Sequence, residues 1–496
     1  KETYKGSIWA RGDGRAKLAV KLLQGDTLLA EQTLGVPSTK WNEYFFSLKP
    51  TASTVAGKIA FIVSGGTMQI DQASMMSEAS IKNGGYRPDL YKAVADIQPT
   101  SLRWPGGSFA SGYNWKWGIG TQAERIRIPK SSWDDFEQNA FGTDEFMALC
   151  KRINSEPVFV INIGYNKSDN DRPALIKEAQ EWVEYCNGPA TSTWGKVRAK
   201  NGHPLPYNVK YWEIDNEMWE LGVEKYDELL RMFVPALKKV DPTIKIIACG
   251  DFTVNGKNTD SLLFFHSGKY FDYISLHHYE GANGFATGPV NSAKKYAGVA
   301  RMIAACPNPA IKMYISEWNA SETDWRTGLY AGGILNAFEK EPAIAMGAAA
   351  LFLRRTDASG WNNSFVNFDN TGWFGAPNYV VTKFYYDHFA PYRLALTGDA
   401  KQLNVVATQS ADRQKIFIKA VNPINEATTV RVSINGITPG WKPVLELVAP
   451  GSLQATNTLS EPDNVHVMQS AVVFKDNIVE FVLPALSVGI LSMSKK

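Results

Sequence analysis

Cysteine is scarce in this chain: Cys150, Cys186, Cys249 and Cys306 are the only four in 496 residues, and no two form a C-x-x-C pair. That spacing excludes the usual structural zinc sites. A chain of this length does not depend on disulfides for its stability, so the four are expected as buried thiols. Charge of one sign is also lacking. Lys and Arg number 52 against 49 Asp and Glu, a net +3, with no basic run. The electrostatic footprint of a nucleic-acid binder is therefore absent. Long apolar runs are missing as well: the longest, around Ala343–Leu353, is too short to cross a bilayer. Neither nucleic acid nor membrane is expected as a partner. The chain opens at Lys1 without Met or signal peptide and reads as a mature or trimmed start.

What is present in quantity is aromatic: 15 Trp, 20 Tyr and 24 Phe. Flat faces of this kind stack on sugars, and large cores use them too. At roughly 150 residues per domain the length suggests about three domains, and the texture changes twice along the chain. Residues 1–80 are short alternating runs (Ser7–Arg11, Lys17–Leu23, Glu43–Leu48, Lys58–Val63, Thr67–Asp71) broken at Gly12-Asp13-Gly14, Gly25-Asp26 and Gly65-Gly66, which reads as an antiparallel β-sandwich. Residues 392–496 read the same way.

Between them, over 81–391, short apolar strands alternate with amphipathic helices, the pattern of βα units and a parallel sheet. The strands expected are Thr100–Trp104, Pro157–Ile163, Val209–Ile214, Ile244–Cys249, Tyr273–His277, Met313–Glu317 and Ile344–Leu353. That is seven, where a closed (β/α)8 barrel has eight, and the deficit falls at the N-terminal side.

Active sites of such barrels lie at the C-terminal ends of the strands. Those ends carry Arg103-Trp104-Pro105-Gly106-Gly107, Glu213-Ile214-Asp215-Asn216-Glu217-Met218-Trp219, His277-His278-Tyr279 and Ser316-Glu317-Trp318-Asn319. Two carboxylates on separate strands, each followed by an indole, suit glycoside hydrolysis: one acid protonates the leaving oxygen, the other attacks the anomeric carbon or activates water. A lone Glu after a strand is more often a helix-start acid, so it is the pair that points to chemistry. His277-His278 lacks a carboxylate at metal-ligand spacing and reads as hydrogen-bonding histidines. Arg103 reads as a fixed cation that holds a carboxylate in place. Trp115, Trp117, Trp361 and Trp373 lie in loop-like stretches open to stacking or to core packing.

Taken in order, these segments resemble glycoside hydrolase family 51, the α-L-arabinofuranosidases and some endoglucanases of clan A. The further carriers are Phe109, Gly112-Tyr113-Asn114-Trp115, Asn139-Ala140-Phe141-Gly142-Thr143-Asp144-Glu145-Phe146-Met147, Asn367-Phe368-Asp369-Asn370 and Gly375-Ala376-Pro377-Asn378-Tyr379. The resemblance implies a (β/α)8 TIM barrel with an N-terminal carbohydrate-binding-type β-sandwich, similar to family 4 modules and incomplete here, and a C-terminal β-sandwich. It implies a retaining double displacement with Glu217 as acid/base and Glu317 as nucleophile. Asn216 matches the residue that binds the sugar 2-OH, and Tyr279 the tyrosine that positions the nucleophile. Arg103, His277, Trp318, Trp115 and Asn367 are expected as supporting or substrate-binding residues.

Two departures mark this chain. Asp215 stands where many members have Gly, and Trp117 where an acid is common. The segment that supplies the family's first barrel strand is not found, so a missing N-terminal segment or a companion chain is expected to complete the barrel. The leading activity is removal of α-L-arabinofuranosyl side chains from plant cell-wall polysaccharides or oligosaccharides. An endo-β-1,4-glucanase or xylanase on the same scaffold is the alternative, and a non-catalytic sugar-binding protein is the alternative of another class, opposed by the presence of both carboxylates. No cofactor and no metal are implied. A polymer substrate favours a secreted or periplasmic enzyme, with an intracellular one open, and a homo-oligomer is possible.

Overall fold

A computed structural model of the chain describes residues 2–129, 136–165, 167–437 and 440–495; Lys1, where the expected sandwich begins, lies outside them. Two compact units form. The first holds the chain up to Ala95 with Asp369–Trp373, and the second holds Asp96–Phe368 with Phe374 onward.

The first unit is built from six strands: β1 (Tyr4–Gly12), β2 (Lys17–Gln24), β3 (Thr27–Gly35), β4 (Asn42–Leu48), β5 (Gly57–Ser64) and β6 (Met68–Ser77). They make two antiparallel three-stranded sheets, β4-β1-β6 and β3-β2-β5. Period-2 alternation turns Leu18, Val20 and Leu22 of β2 inward. There they meet Ile8, Ala10, Phe46 and Leu48 of the opposite sheet. The strand β3 is additional to those expected. It is an edge strand with most of its length exposed, so it carries little of the apolar alternation that marks a strand in sequence.

The second unit centres on a parallel sheet of seven strands, the seven expected: β7 (Ser101–Trp104), β8 (Glu156–Ile161), β9 (Tyr211–Ile214), β10 (Lys245–Cys249), β11 (Tyr273–Glu280), β12 (Lys312–Ala320) and β13 (Ile344–Ala349). Each pairs with its sequence neighbour, so the order around the sheet is the order along the chain. Helices α1 (Thr143–Ile153), α2 (Arg172–Asn187), α3 (Val223–Val240), α4 (Gly288–Ala305) and α5 (Trp325–Lys340) connect them. This is the (β/α) barrel arrangement, one strand short of eight among the described residues.

Interior strands β8 and β10 are buried almost throughout, as continuous apolar runs covered on both faces should be. The end strands β7 and β13 are only half-buried. Helix α3 shows the matching amphipathic stripe, with Tyr226, Leu229, Leu230, Phe233, Val234 and Leu237 buried at helical spacing.

The same unit carries the C-terminal sandwich. A six-stranded antiparallel sheet includes Lys415–Asn422, Ser487–Lys495 and Trp441–Val448, and faces a three-stranded sheet made of Thr428–Ser433, Ile478–Leu483 and Val473–Lys475. Helix α5 lies close against it: a Cβ added at Gly332 would come within 2.9 Å of Val421 Cγ2. Glycine is therefore required there by the approach of the two surfaces. All four cysteines are buried free thiols. Among the described residues no helix is long and apolar enough to cross a membrane.

Candidate active site

The polar residues of the barrel gather where β7, β9, β11 and β12 end. Alternation along β9 sends Trp212 outward, where it stacks on Phe159, and turns Glu213 inward with no exposure. After Ile214 the backbone enters the left-handed region at Asp215 (φ 62°) and again at Glu217 (φ 50°). On β11 and β12 a register shift after Leu276 sets His277 beside Glu317 and Tyr279 beside Asn319.

Arg103, at the end of β7, ties these ends together. Its Nε donates to Glu213 Oε2 at 2.5 Å, Nη1 to Glu317 Oε1 at 2.9 Å and Nη2 to Asn216 Oδ1 at 2.7 Å. Both carboxylates and the guanidinium are buried. An ion cluster this dry is held only because each charge has a partner, and Arg suits it through its planar set of donors.

Glu317 receives a second donor, the Tyr279 hydroxyl at 2.6 Å from Oε2. His277 Nδ1 lies 2.7 Å from Glu217 Oε1 and 3.7 Å from Glu317 Oε2. Burial alone would push the Glu317 carboxyl up; His277, Arg103 and Tyr279 together outweigh it and hold that carboxyl below its ordinary value. Burial, and then the Glu317 anion, push the Tyr279 hydroxyl far above its usual range, so it remains a neutral donor. A buried, hydrogen-bonded carboxylate kept ionised in this way is equipped as a nucleophile.

The second carboxylate is near. Ligand atoms of Glu217, His277 and Glu317 all lie within 4.8 Å of one another. A metal ion could take these three atoms; equally, two carboxyl groups about 5 Å apart are the spacing of retaining glycoside hydrolysis, whereas inversion needs about 6.5–9.5 Å to admit water.

The site opens into a cleft of roughly 1380 Å³ whose wall includes Arg103, Asn216, Glu217, Tyr279, Trp318 and Glu317. Phe109, Phe136, Phe141, Trp219 and Trp361 add aromatic surface to the same wall. Trp219 is half-exposed and fixed by its Nε1–H to the Gly250 carbonyl at 2.8 Å. Trp361 packs against Tyr279 with ring centres 5.1 Å apart. Asn216 Nδ2 is buried and has no hydrogen-bond acceptor among the described residues. A buried amide donor left unpaired is uncommon and calls for a partner that the described residues do not supply.

Of the residues singled out in the sequence, Arg103, Asn216, Glu217, His277, Tyr279, Glu317 and Trp318 come together here. Trp318 is buried edge-on to Phe365 and Phe338, supporting the wall from behind. Two of the supporting residues implied by the resemblance do not reach the cleft. Trp115 is 1 % exposed, stacked parallel to Trp182, with its Nε1–H donated to the Glu178 carbonyl on α2 at 3.1 Å. Its short helical turn folds inward, so it packs the helix layer. Asn367 is buried on a strand outside the cleft, bonded to Ser364. Sequence reasoning gave no role to Glu213, although a carboxylate at an inward position of an apolar strand is a signal that something cationic must face it.

Replacing Tyr279 by Phe removes one donor from Glu317. The expected result is a fall in kcat of about tenfold to a hundredfold, the scale of a hydrogen bond to a charged group. Because the lost donor favoured the carboxylate, the acidic limb of kcat/KM should move to higher pH. A pH profile with an unmoved acidic limb would separate Tyr279 from Glu317.

A family model described as alpha-L-arabinofuranosidase 1 domain matches residues 93–297, and one described as alpha-L-arabinofuranosidase C-terminal domain matches 316–487. The chain is similar to alpha-L-arabinofuranosidase 1 of Arabidopsis thaliana, 27% identical across 99% of this chain and 74% of that protein. It is 36% identical to an intracellular exo-α-(1→5)-L-arabinofuranosidase of Halalkalibacterium halodurans, over 40% of each. Among solved structures, an α-L-arabinofuranosidase of Thermotoga maritima in complex with arabinose superposes with a TM-score of 0.72 at 26% identity, covering 83% of this chain and 90% of the other.

Proposed function

We propose that this chain, which belongs to glycoside hydrolase family 51, removes α-L-arabinofuranosyl groups from arabinose-containing glycans with retention of anomeric configuration. The observation that carries the mechanism is the approach of Glu217 to Glu317, with carboxylate oxygens within 4.8 Å. Glu317, ionised and held by Arg103 and Tyr279, attacks the anomeric carbon as the glycosidic C–O bond breaks and Glu217 gives its proton to the leaving oxygen. A glycosyl ester on Glu317 results. Glu217, now a carboxylate, takes a proton from water as the water oxygen attacks the same carbon, and Glu317 leaves as a carboxylate. In this reading Asn216 donates to the sugar 2-OH, supported by its position on the cleft wall and by an Nδ2–H that has no acceptor among the described residues.

Exo action on terminal arabinofuranosyl groups fits the exo-acting enzyme of Halalkalibacterium halodurans among the relatives. A wall polymer is met outside the cytoplasm, which supports a secreted or periplasmic enzyme; an intracellular place, as in that relative's name, suits an oligosaccharide substrate.

A polypeptide segment beyond these 496 residues completes the barrel between β7 and β13. Supporting this, Leu102 of one end strand and Ala345 and Gly347 of the other line the same cleft as the carboxylates, together with Phe338 and Tyr385. Both strands keep a half-buried edge there, and an open sheet edge is a pairing site.

Side-by-side hydrolysis of an aryl α-L-arabinofuranoside and barley β-glucan tests the reading. Rapid aryl release without loss of β-glucan viscosity is expected. Viscosity loss with little aryl release would move the enzyme to the endoglucanase branch. Peptide mapping of the same active preparation should return sequence beyond these 496 residues, and full activity without any would overturn the added segment.

A further inference from the structure

The turn that presents Asn216 and Glu217 is fastened by a buried group that does not itself line the cleft. Asp215 has no exposure and sits at φ 62°, a conformation that a residue with a Cβ resists. Its carboxylate answers with three hydrogen bonds. Oδ1 accepts from the Ser111 hydroxyl at 2.6 Å and from the backbone N–H of Asn216 at 2.8 Å, while Oδ2 accepts from the backbone N–H of Ile163 at 2.8 Å. Ser111 belongs to the short turn that follows the Arg103–Gly107 segment, and Ile163 lies just past β8. One carboxylate thus joins the ends of three neighbouring strands.

What it holds is chemically significant. The bond to Asn216 N fixes the peptide from which the Asn216 side chain offers Oδ1 to Arg103 Nη2, on the wall of the cleft. One residue later the backbone turns left-handed again, and the Glu217 carboxyl meets His277. A short polar side chain that bonds its own following N–H is one of the few ways a non-glycine residue occupies this region. Glycine would remove the strain and the clamp together.

We propose that Asp215 is a positioning residue for proton transfer, clamping the Asn216–Glu217 turn so that the Glu217 carboxyl stands at the leaving oxygen. The proposal rests on the reading of Glu217 as acid/base. Small displacements of a general acid cost rate steeply, and they cost most where the leaving group needs the proton.

The test compares Asp215→Gly, Asp215→Asn and Ser111→Ala on two arabinofuranosides: a phenyl glycoside, whose departure needs protonation, and a dinitrophenyl glycoside, whose departure does not. For Asp215→Gly, kcat/KM on the phenyl glycoside should fall by about tenfold or more, with a change of about twofold on the dinitrophenyl glycoside. Ser111→Ala, which removes one of the three bonds, should show a smaller shift in the same direction and serves if Asp215→Asn fails to fold. Equal losses on both glycosides would make Asp215 a packing residue only, and no loss on either would remove its role. Glu217→Ala is the control. If it too loses equally on both glycosides, the acid/base reading fails; if it shows the selective loss and the Asp215 and Ser111 variants do not, the positioning proposal alone is overturned.

Discussion

Replacing Glu317 by Ala should lower turnover of an aryl α-L-arabinofuranoside by about four to six orders of magnitude, the scale at which an enzyme loses its covalent route. The size follows from how completely the site is organised around this one carboxylate. Arg103 Nη1, the Tyr279 hydroxyl and, at 3.7 Å, His277 Nδ1 all address it, and it is 7 % exposed. Among the described residues, neither carboxylate of its own cluster stands in for it: Glu213 is fully buried behind Arg103, and Glu217 is on the leaving-group side in the proposed mechanism. The variant should stay folded, since Arg103 keeps its bonds to Glu213 and Asn216. Azide is expected to enter the vacated space and yield the β-arabinofuranosyl azide, with inversion. Activity within about a hundredfold of the wild type would remove Glu317 from the nucleophile's role.

Glu217→Ala should behave differently in kind. With a leaving group that needs a proton, kcat/KM should fall by about a hundredfold to ten-thousandfold, the usual worth of a positioned general acid. With an activated leaving group the first step should survive and the glycosyl ester should accumulate, because no base remains to activate water. Azide needs no such base, so it should restore turnover and give the α-arabinofuranosyl azide, with net retention. The contrast in product configuration between the two variants assigns the two carboxylates. Identical azide products from both would undo the assignment.

Much of the barrel is legible in the sequence because its interior strands are covered on both faces. Short apolar runs such as Val158–Ile161 and Ile246–Ala248, rich in β-branched residues, suit strands buried on both faces, and the intervening helices carry a clear stripe. The helix Pro377–Asp387 is harder to read. Tyr379, Val380, Val381, Phe384 and Tyr385 favour strands by local preference, and the tertiary packing that buries all of these but Val380 overrides it. Pro377 at its first turn is the one start signal.

The site divides along the same line. Residues at strand ends could be placed by combining the strand count with the rule that barrel chemistry sits at C-terminal ends, which brings Arg103, Glu217, Tyr279 and Glu317 together. Trp115 could not be placed, since its fate depends on contacts with Trp182 and Trp194, remote in sequence and invisible to local pattern. Asp215 looks like an added charge beside the acid/base when read along the chain. In three dimensions its carboxylate is spent on Ser111, Asn216 and Ile163.

The central claim is a covalent arabinosyl ester on Glu317, and the most direct measurement is peptide mass spectrometry of the Glu217→Ala variant quenched during turnover of a dinitrophenyl α-L-arabinofuranoside. The account predicts one arabinosyl group on the peptide that carries Glu317, disappearing when azide is added. An arabinosyl group on any other residue, or an unmodified enzyme while dinitrophenol is being released, would contradict it.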